Sequence, residues 1–190
     1  MKKILIGTHN KGKFREISYL LSNKITKISP VSLKIKSPEE TGKTFVANAR
    51  LKAKYFAKHT SLPVISDDSG LCIRSLNNKP GIYSARWAKK HGSFTKAMKF
   101  IIKKMKGKKN RSAVFICSLA FLSSDKVITS TGKVRGLISE KIRGSKGFGY
   151  DPIFIPNKMK ITFGEMSKYK KIKIDHRFIA FKKLKKKIRI

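Results

Sequence analysis

Two adjacent aspartates, Asp67 and Asp68, are the strongest candidates for chemistry in this sequence. They lie within residues 59–73, the longest stretch of the chain that holds no lysine or arginine. The rest of the 190-residue chain is strongly basic, with 46 lysines and arginines against ten acids and a formal net charge of +36. A cation-free segment that keeps two carboxylates together therefore indicates a site that uses carboxylates.

Such a pair can bind a metal ion or accept a proton. Side chains alternate along an extended chain, so a strand can turn one of these carboxylates toward a cleft and the other away. With Glu39 or Glu40 arriving from another loop, the site would offer the hard oxygen ligands that Mg²⁺ prefers. The alternative is a plain turn, because the run Asp-Asp-Ser-Gly also favours side-chain-to-backbone hydrogen bonds.

A polar loop near the start of the chain could hold a phosphate. Residues 3–7 predict a buried strand, and the apolar residues of 14–21 recur at helical spacing. Free backbone N–H groups at the start of such a helix favour an anion. An ordinary turn with surface lysines is the alternative, since the spacing is not that of a Walker loop. The loop consists of Thr8, His9, Asn10, Lys11, Gly12 and Lys13.

A glycine-rich aromatic loop near residue 150 could bind a base. Phe148 and Tyr150 offer two ring faces between glycines, a composition typical of base stacking, whereas a tight turn with buried aromatics is the alternative. Further along, Lys171, His176 and Arg177 could donate to an anion or to a purine oxygen. No Ser/His/Asp or Cys/His set indicates a covalent mechanism.

The elements that must position these residues form a mixed α/β pattern. Strands are predicted at residues 25–33, 62–66, 71–75, 113–122 and 126–138, and a last strand ends at Pro156. The strands 113–122 and 126–138 are predicted to form a hairpin through residues 123–125. Helices are predicted after Thr44, after Ser93 and at 177–188 after Asp175, while 37–43 and 77–87 are predicted loops. We find no repeat and no linker, so residues 1–190 are predicted to form a single domain.

Composition narrows the classes further. The chain has no apolar run long enough to span a membrane, and Cys72 and Cys117 lie 45 positions apart in apolar surroundings. A reduced, cytoplasmic protein is therefore expected. Lysines outnumber arginines by 37 to 9, which is typical of a solvated lysine coat more than of an arginine-based nucleic-acid surface.

Six segments, in this order, resemble the inosine triphosphate pyrophosphatase family. Members of this family, the XTP/dITP diphosphatases, hydrolyse non-standard purine nucleoside triphosphates (ITP, dITP and XTP) to monophosphates and pyrophosphate. The resemblance spans nearly the whole chain. The segments are Thr8–Lys13, Glu39–Gly42, Asp67–Leu71, Pro80–Arg86, Gly147–Pro152 and Lys171 with His176 and Arg177.

The resemblance implies a role for each matching residue. Asp68 would accept a proton and bind Mg²⁺, with Glu40 as the second carboxylate near the metal. The residues implied to hold the triphosphate are Thr8, His9, Asn10, Lys11, Gly12, Lys13, Ser69 and Lys171. Those implied to recognise the base are Phe148, Gly149, Tyr150, Asp151, His176 and Arg177, of which Phe148 would stack and the last two would read a 6-oxo purine.

The resemblance also implies an architecture, and this chain departs from the family pattern at two positions. The family fold is mixed α/β, elongated, with a central sheet flanked by helices and an active-site cleft between two lobes, and is usually a homodimer. This chain has His9 where the family usually has glycine, and Asp175 where serine is common. These departures bear on the geometry of the phosphate loop and of base recognition more than on the reaction.

The competing hypothesis is a non-enzymatic RNA-binding protein that uses the lysines together with Phe148 and Tyr150. It predicts salt-sensitive RNA binding without Mg²⁺-dependent turnover. It does not explain the cation-free segment around Asp67 and Asp68, because acids on an RNA-binding surface repel the phosphates. We favour the enzyme hypothesis, which requires neither a nucleic-acid partner nor a membrane.

Overall fold

The computed structural model describes residues 2–188 and has the mixed α/β architecture that the sequence predicts. Within these residues, seven strands form one sheet in the order β2-β1-β3-β5-β6-β7, and β4 pairs with β3. The strands are β1 (Lys2–Gly7), β2 (Ile25–Ile28), β3 (Val64–Ile73), β4 (Lys79–Pro80), β5 (Ser112–Ser123), β6 (Lys126–Ile138) and β7 (Phe154–Pro156). The helices are α1 (Lys11–Leu20), α2 (Phe45–Ala57), α3 (Ser84–Lys90), α4 (Phe94–Met105), α5 (Lys168–Lys171) and α6 (His176–Lys185).

The chain divides into two compact units, each assembled from separate segments. The first unit comprises Met1–Asp68, Cys117–Gly132 and Arg177–Ile190, and the second comprises Ser69–Ile116 and Lys133–His176. The single domain over 1–190 and the cleft between lobes stay predictions.

Helices cover both faces of the sheet in the first unit. Leu5 of β1 packs with Phe56 of α2, whereas its neighbours Ile4 and Ile6 pack with Ile17 of α1. Strand β1 is parallel to both β2 and β3, and such doubly covered parallel strands are apolar on both faces. In this register Gly7 pairs with Ser66, so the residues that follow β1 lie beside Asp67 and Asp68.

Strand β3 runs without a break through the Asp-Asp-Ser-Gly segment, so the prediction of two short strands at 62–66 and 71–75 was wrong. Asp67 and Asp68 find side-chain partners, which leaves their backbone in the sheet, and no turn forms. Gly70 contributes to this continuity, because a Cβ at this position would overlap the carbonyl oxygen of Gly81. The two aspartates therefore point to opposite faces of one strand.

Strand β2 is shorter than the predicted 25–33. Pro30 cannot donate to a neighbouring strand, and its carbonyl instead accepts hydrogen bonds from Leu33 and Ile35, at 3.2 and 2.9 Å. The chain turns here, and Lys34 has a φ of 56°. Residues 29–33 therefore belong to a turn and not to the strand.

Local capping signals predict the helices well. Thr44 caps α2 and Ser93 caps α4, each through a side-chain oxygen that accepts from the backbone N–H three residues later. The hairpin of β5 and β6 is also confirmed, with Ser124 and Asp125 both at positive φ in its two-residue turn. Helix α3 lies partly in the predicted loop 77–87, where a proline and a glycine concealed the helical signal.

The second unit has its own core, built around Leu71, Met105, Phe154 and Phe163. The last predicted helix, 177–188, begins one residue earlier and ends at Lys185.

Neither cysteine forms a disulfide. Cys117 is buried and Cys72 is half-buried, and burial raises the pKa of the Cys72 thiol to about 11. Over residues 2–188, no helix has both the length and the apolar character needed to cross a bilayer.

Candidate active site

Asp67 is fully buried on β3 and is held by two cations. Its Oδ2 lies 3.2 Å from Lys13 Nζ and 3.0 Å from Arg177 Nη2. Burial by itself raises the pKa of Asp67, but Lys13 and Arg177 outweigh it and lower the pKa below its ordinary value. The other guanidinium nitrogen of Arg177 pairs with Glu16, so α1, β3 and α6 are joined by one ionic cluster.

Asp68 is nearly as buried, with 3% of its surface exposed, but its surroundings differ. Its Oδ2 accepts a hydrogen bond of 2.9 Å from Asn48 Nδ2 on α2. Burial raises the pKa of Asp68 above its ordinary value, although Lys13 and Lys52 oppose this shift, and the nearby Glu40 carboxylate adds to it. Adjacent residues thus have pKa values displaced in opposite directions, a pattern typical of carboxylates with separate roles.

Glu40 approaches Asp68 from the segment before α2. Its Oε1 accepts from Lys52 Nζ at 2.7 Å, and Lys52 is itself buried. Burial acts to lower the pKa of Lys52, yet the carboxylates of Asp67, Glu40 and Asp68 outweigh it and raise the pKa. Glu39, the other candidate, is exposed.

The donors of Asp68 and Glu40 suit Mg²⁺. Both are hard carboxylate oxygens, and their electrostatic effect on each other is unfavourable, so a cation beside them would relieve it. Among residues 2–188 no cluster of three or more His, Cys, Asp or Glu forms a complete metal cage. Two carboxylates, with the remaining ligands supplied by water and phosphate, are a common arrangement for Mg²⁺.

The phosphate-loop candidates lie between β1 and α1. Asn10 caps α1 by accepting from the backbone N–H of Lys13 at 3.0 Å, and Thr8 Oγ1 accepts from the N–H of Asn10 at 3.2 Å. His9, where the family usually has glycine, points its Nε2 at the Ile35 carbonyl, 2.9 Å away. The departure at this position therefore ties the loop to the segment after β2. Lys11 is exposed, and Gly12 is buried within α1.

In the second unit, Lys171 and Asp151 form a buried ion pair of 2.8 Å. Asp151 Oδ2 also accepts from the backbone N–H of Phe148 at 2.8 Å, and Lys171 Nζ lies 4.8 Å from the centre of the Phe148 ring. Gly147 has a φ of 76°, and a Cβ there would overlap the Asp151 carboxylate. Asp151 therefore shapes the loop that presents the half-buried ring of Phe148.

The other candidates of this unit are mainly structural in their contacts. Tyr150 is buried, and its hydroxyl donates to the Ser84 carbonyl at 2.9 Å. The buried His176 ring stacks on Phe115, with centroids 4.8 Å apart and planes 7° apart. Gly149 takes a left-handed conformation with a φ of 65°. Ser69 is half-buried on β3, immediately after Asp68.

The structure brings Asp67, Asp68, Lys13 and Glu40 into one electrostatic neighbourhood. Arg177 is also in the first unit, where its guanidinium is fully buried against two carboxylates. Sequence reasoning missed Glu16, Asn48 and Lys52. Asn48 and Lys52 had a usable signal, because they are polar residues four positions apart on the apolar, buried face of a predicted helix.

Comparison with known proteins identifies the family of this chain. The model of the Ham1 family matches residues 4–187. A "dITP/XTP pyrophosphatase" of Dictyoglomus thermophilum is 43% identical over 189 residues, covering 96% of this chain and 92% of that protein. One of Haemophilus influenzae is 39% identical, covering 98% and 99% of the two chains.

Solved structures show the same fold. A HAM1 protein from Coxiella burnetii is 34% identical, with 98% of each chain covered and a TM-score of 0.88. The Staphylococcus aureus Ham1 protein is 35% identical, with 97% of each chain covered and a TM-score of 0.86. These matches confirm the resemblance found in the six sequence segments, and this chain belongs to the Ham1 family.

Proposed function

We propose that this protein hydrolyses non-standard purine nucleoside triphosphates (dITP, ITP and XTP) to the nucleoside monophosphate and pyrophosphate. The observation that carries the proposal is the arrangement of the adjacent aspartates on β3. Asp67 is paired with Lys13 and Arg177, whereas Asp68 is held by Asn48 and lies near the Glu40 carboxylate. The names of the curated relatives, dITP/XTP pyrophosphatase, support the same reaction.

In this proposal Asp68 accepts a proton from the attacking water. Asp68 is buried, and the hydrogen bond from Asn48 fixes its carboxylate in place, which suits a general base. Asp68 and Glu40 would hold Mg²⁺, which when bound neutralises charge on the phosphates. Asp67 has a lowered pKa and is committed to Lys13 and Arg177, so it is the less suited of the two aspartates to accept a proton.

Cations and loop donors hold the triphosphate. Lys13 is fixed by Asp67, and Lys52 is fixed by Glu40, so both ammonium groups are in place before the substrate arrives. Such preorganised charge stabilises a transition state without the cost of reorganisation. The loop of Thr8, His9, Asn10, Lys11, Gly12 and Lys13, together with Ser69 and Lys171, completes the proposed phosphate-binding set.

Phe148 supplies the stacking face for the base, with Gly149 and Asp151 shaping its loop. Tyr150 supports this loop through its bond to the Ser84 carbonyl, and His176 contributes from the start of α6. For Arg177 we propose a positioning role in place of the base contact that the resemblance implies. Its Nη1 is paired with Glu16 and its Nη2 with Asp67, and these two contacts hold the guanidinium inside the ionic cluster.

We further propose a homodimer that works in the cytoplasm. The homodimer follows from the family resemblance. The cytoplasmic location follows from Cys72 and Cys117, neither of which forms a disulfide. RNA binding by the lysine coat stays the alternative function, and it predicts no turnover.

The test is pyrophosphate release from dITP, ITP, XTP, GTP and ATP, with Mg²⁺ and with EDTA. We expect release from the first three substrates and loss of turnover in EDTA. Asp125→Asn, at an exposed turn outside the site, is the control for Asp68→Asn. Orthophosphate as the first product, or equal rates on all five substrates, would contradict the proposal.

A further inference from the structure

Asn48 is completely buried on α2, and both ends of its amide are used. Its Nδ2 donates to Asp68 Oδ2 at 2.9 Å, and its Oδ1 accepts from the backbone N–H of Gly42 at 2.7 Å. A side chain with one donor and one acceptor at this point therefore joins β3 to the segment that carries Glu40, two residues before Gly42.

Gly42 is suited to this contact because it has no side chain. A Cβ at this position would lie 2.5 Å from Asn48 Oδ1 and 2.9 Å from the Asn48 backbone nitrogen, too close for a normal contact. The close approach of this segment to α2 thus depends on the glycine.

A second link lies one helical turn further along α2. Lys52 pairs with Glu40 at 2.7 Å, and residues four positions apart lie on the same face of a helix. Asn48 and Lys52 therefore fix Asp68 and Glu40 to one rigid helix. Neither carboxylate can shift relative to the other without breaking one of these two polar contacts.

We propose that Asn48 is a positioning residue that sets the spacing of Asp68 and Glu40 for a divalent cation and the attacking water. It touches neither the metal nor the substrate. The inference rests on the proposed function, since it assigns Asn48 a part in the same reaction. Polar partners of metal-binding carboxylates typically contribute about 10- to 100-fold to metal affinity or activity.

The first experiment replaces Asn48 by a residue of similar size without polar atoms, Asn48→Leu, and compares it with Phe56→Leu. Phe56 is fully buried on the same helix but packs in the apolar core, so its variant controls for lost stability. We expect kcat for dITP to fall by about 10- to 100-fold in Asn48→Leu, with KM within about threefold of wild type. Phe56→Leu should keep kcat within about twofold when both proteins are folded by circular dichroism.

The second experiment needs no turnover. Binding of Mn²⁺ to the nucleotide-free protein, measured by electron paramagnetic resonance, should weaken by about tenfold in Asn48→Leu and stay unchanged in Phe56→Leu. Absence of Mn²⁺ binding to wild type would overturn the inference, because the carboxylate spacing would then not suit a cation.

A third variant guards against misfolding of Asn48→Leu. Gly42→Ala alters only the half-buried segment and should lower kcat and Mn²⁺ affinity in the same direction, whereas Lys43→Ala, at the exposed next residue, should not. If Asn48→Leu and Gly42→Ala both keep kcat and Mn²⁺ affinity within about twofold of wild type, the inference is wrong. Failure of wild type to release pyrophosphate from dITP would instead contradict the proposed function, and the Mn²⁺ measurement would still decide the role of Asn48.

Discussion

The clusters of charged side chains in the two units differ in composition. The first unit has a cluster of three cations and four carboxylates from several helices, one strand and the segment before α2. Its members are Lys13, Lys52 and Arg177 with Glu16, Glu40, Asp67 and Asp68. In the second unit, Lys171 lies between Asp151 and Asp175, at 2.8 and 3.9 Å, and beneath it are aromatic rings. Each cluster has one more negative than positive group, in a protein whose net charge is +36.

The difference indicates which part of a nucleotide each cluster suits. A network of several fixed cations around the carboxylates of Asp68 and Glu40 can hold a metal ion and several phosphate oxygens at once. The ring face of Phe148 in the second unit suits a flat aromatic group, and Lys171 beside it adds one cation to the proposed phosphate-binding set. The informative feature of the charge distribution is therefore the local shortage of positive charge, and not the number of surface lysines.

The largest expected effect on activity is that of replacing Asp68, the proposed proton acceptor. Asp68→Asn removes the proposed proton acceptor without changing volume, so pyrophosphate release from dITP should fall by about 10³-fold or more. The circular dichroism spectrum should be unchanged. Retention of a tenth of the wild-type rate would rule out Asp68 as the base.

The Asp67→Asn variant tests how much the buried ion pairs contribute to stability, and not the reaction. Asp67→Asn leaves Lys13 and Arg177 with one carboxylate fewer, and loss of one partner in a buried ion pair costs about 3 kcal/mol or more. Urea unfolding measures this change. Glu165→Gln breaks an ion pair that is about 30% exposed on both sides, so it should lower the free energy of unfolding much less than Asp67→Asn does. Equal losses in the two variants would remove the distinction between the clusters.

A ligand that lacks a base distinguishes the two units directly. Tripolyphosphate should inhibit competitively, and Lys13→Ala should weaken its inhibition together with the binding of dITP. Phe148→Ala should raise the KM for dITP, since a lost stacking contact costs about 1–3 kcal/mol, and should leave the inhibition constant of tripolyphosphate unchanged. Weaker tripolyphosphate binding in Phe148→Ala would show that the ring serves the phosphates.

The smallest effect concerns pH and the Asp67 carboxyl. Its pKa is lower in the folded protein than the ordinary value, so the stabilisation from ionised Asp67 is present above the ordinary value and is lost as pH falls through the folded value. The difference in unfolding free energy between wild type and Asp67→Asn should stay constant from pH 7 to about 5 and shrink below about pH 4. A difference that shrinks between pH 7 and 6 would contradict this assignment.

Local sequence patterns predicted much of the fold because the interactions involved are short-range. The caps at Thr44 and Ser93 act over three residues, and the two-residue hairpin turn at Ser124 and Asp125 depends only on local backbone conformation. Strand β3 was predicted in two pieces because Asp-Asp-Ser-Gly favours turns when no partner is present. Partners from other elements reversed that preference.

The sequence by itself determined the α/β class and the clustering of Asp67 and Asp68. The tertiary structure decided that both aspartates lie within one continuous strand, and alternation along that strand then projects them to opposite faces. Only the tertiary structure decided what each carboxylate meets. Arg177 reaches Asp67 across 110 residues of sequence and Glu16 across 161, and Asn48 reaches Asp68 across 20. Whether a buried aspartate is committed to a cation or left with a raised pKa depends on partners that only folding brings within hydrogen-bonding distance.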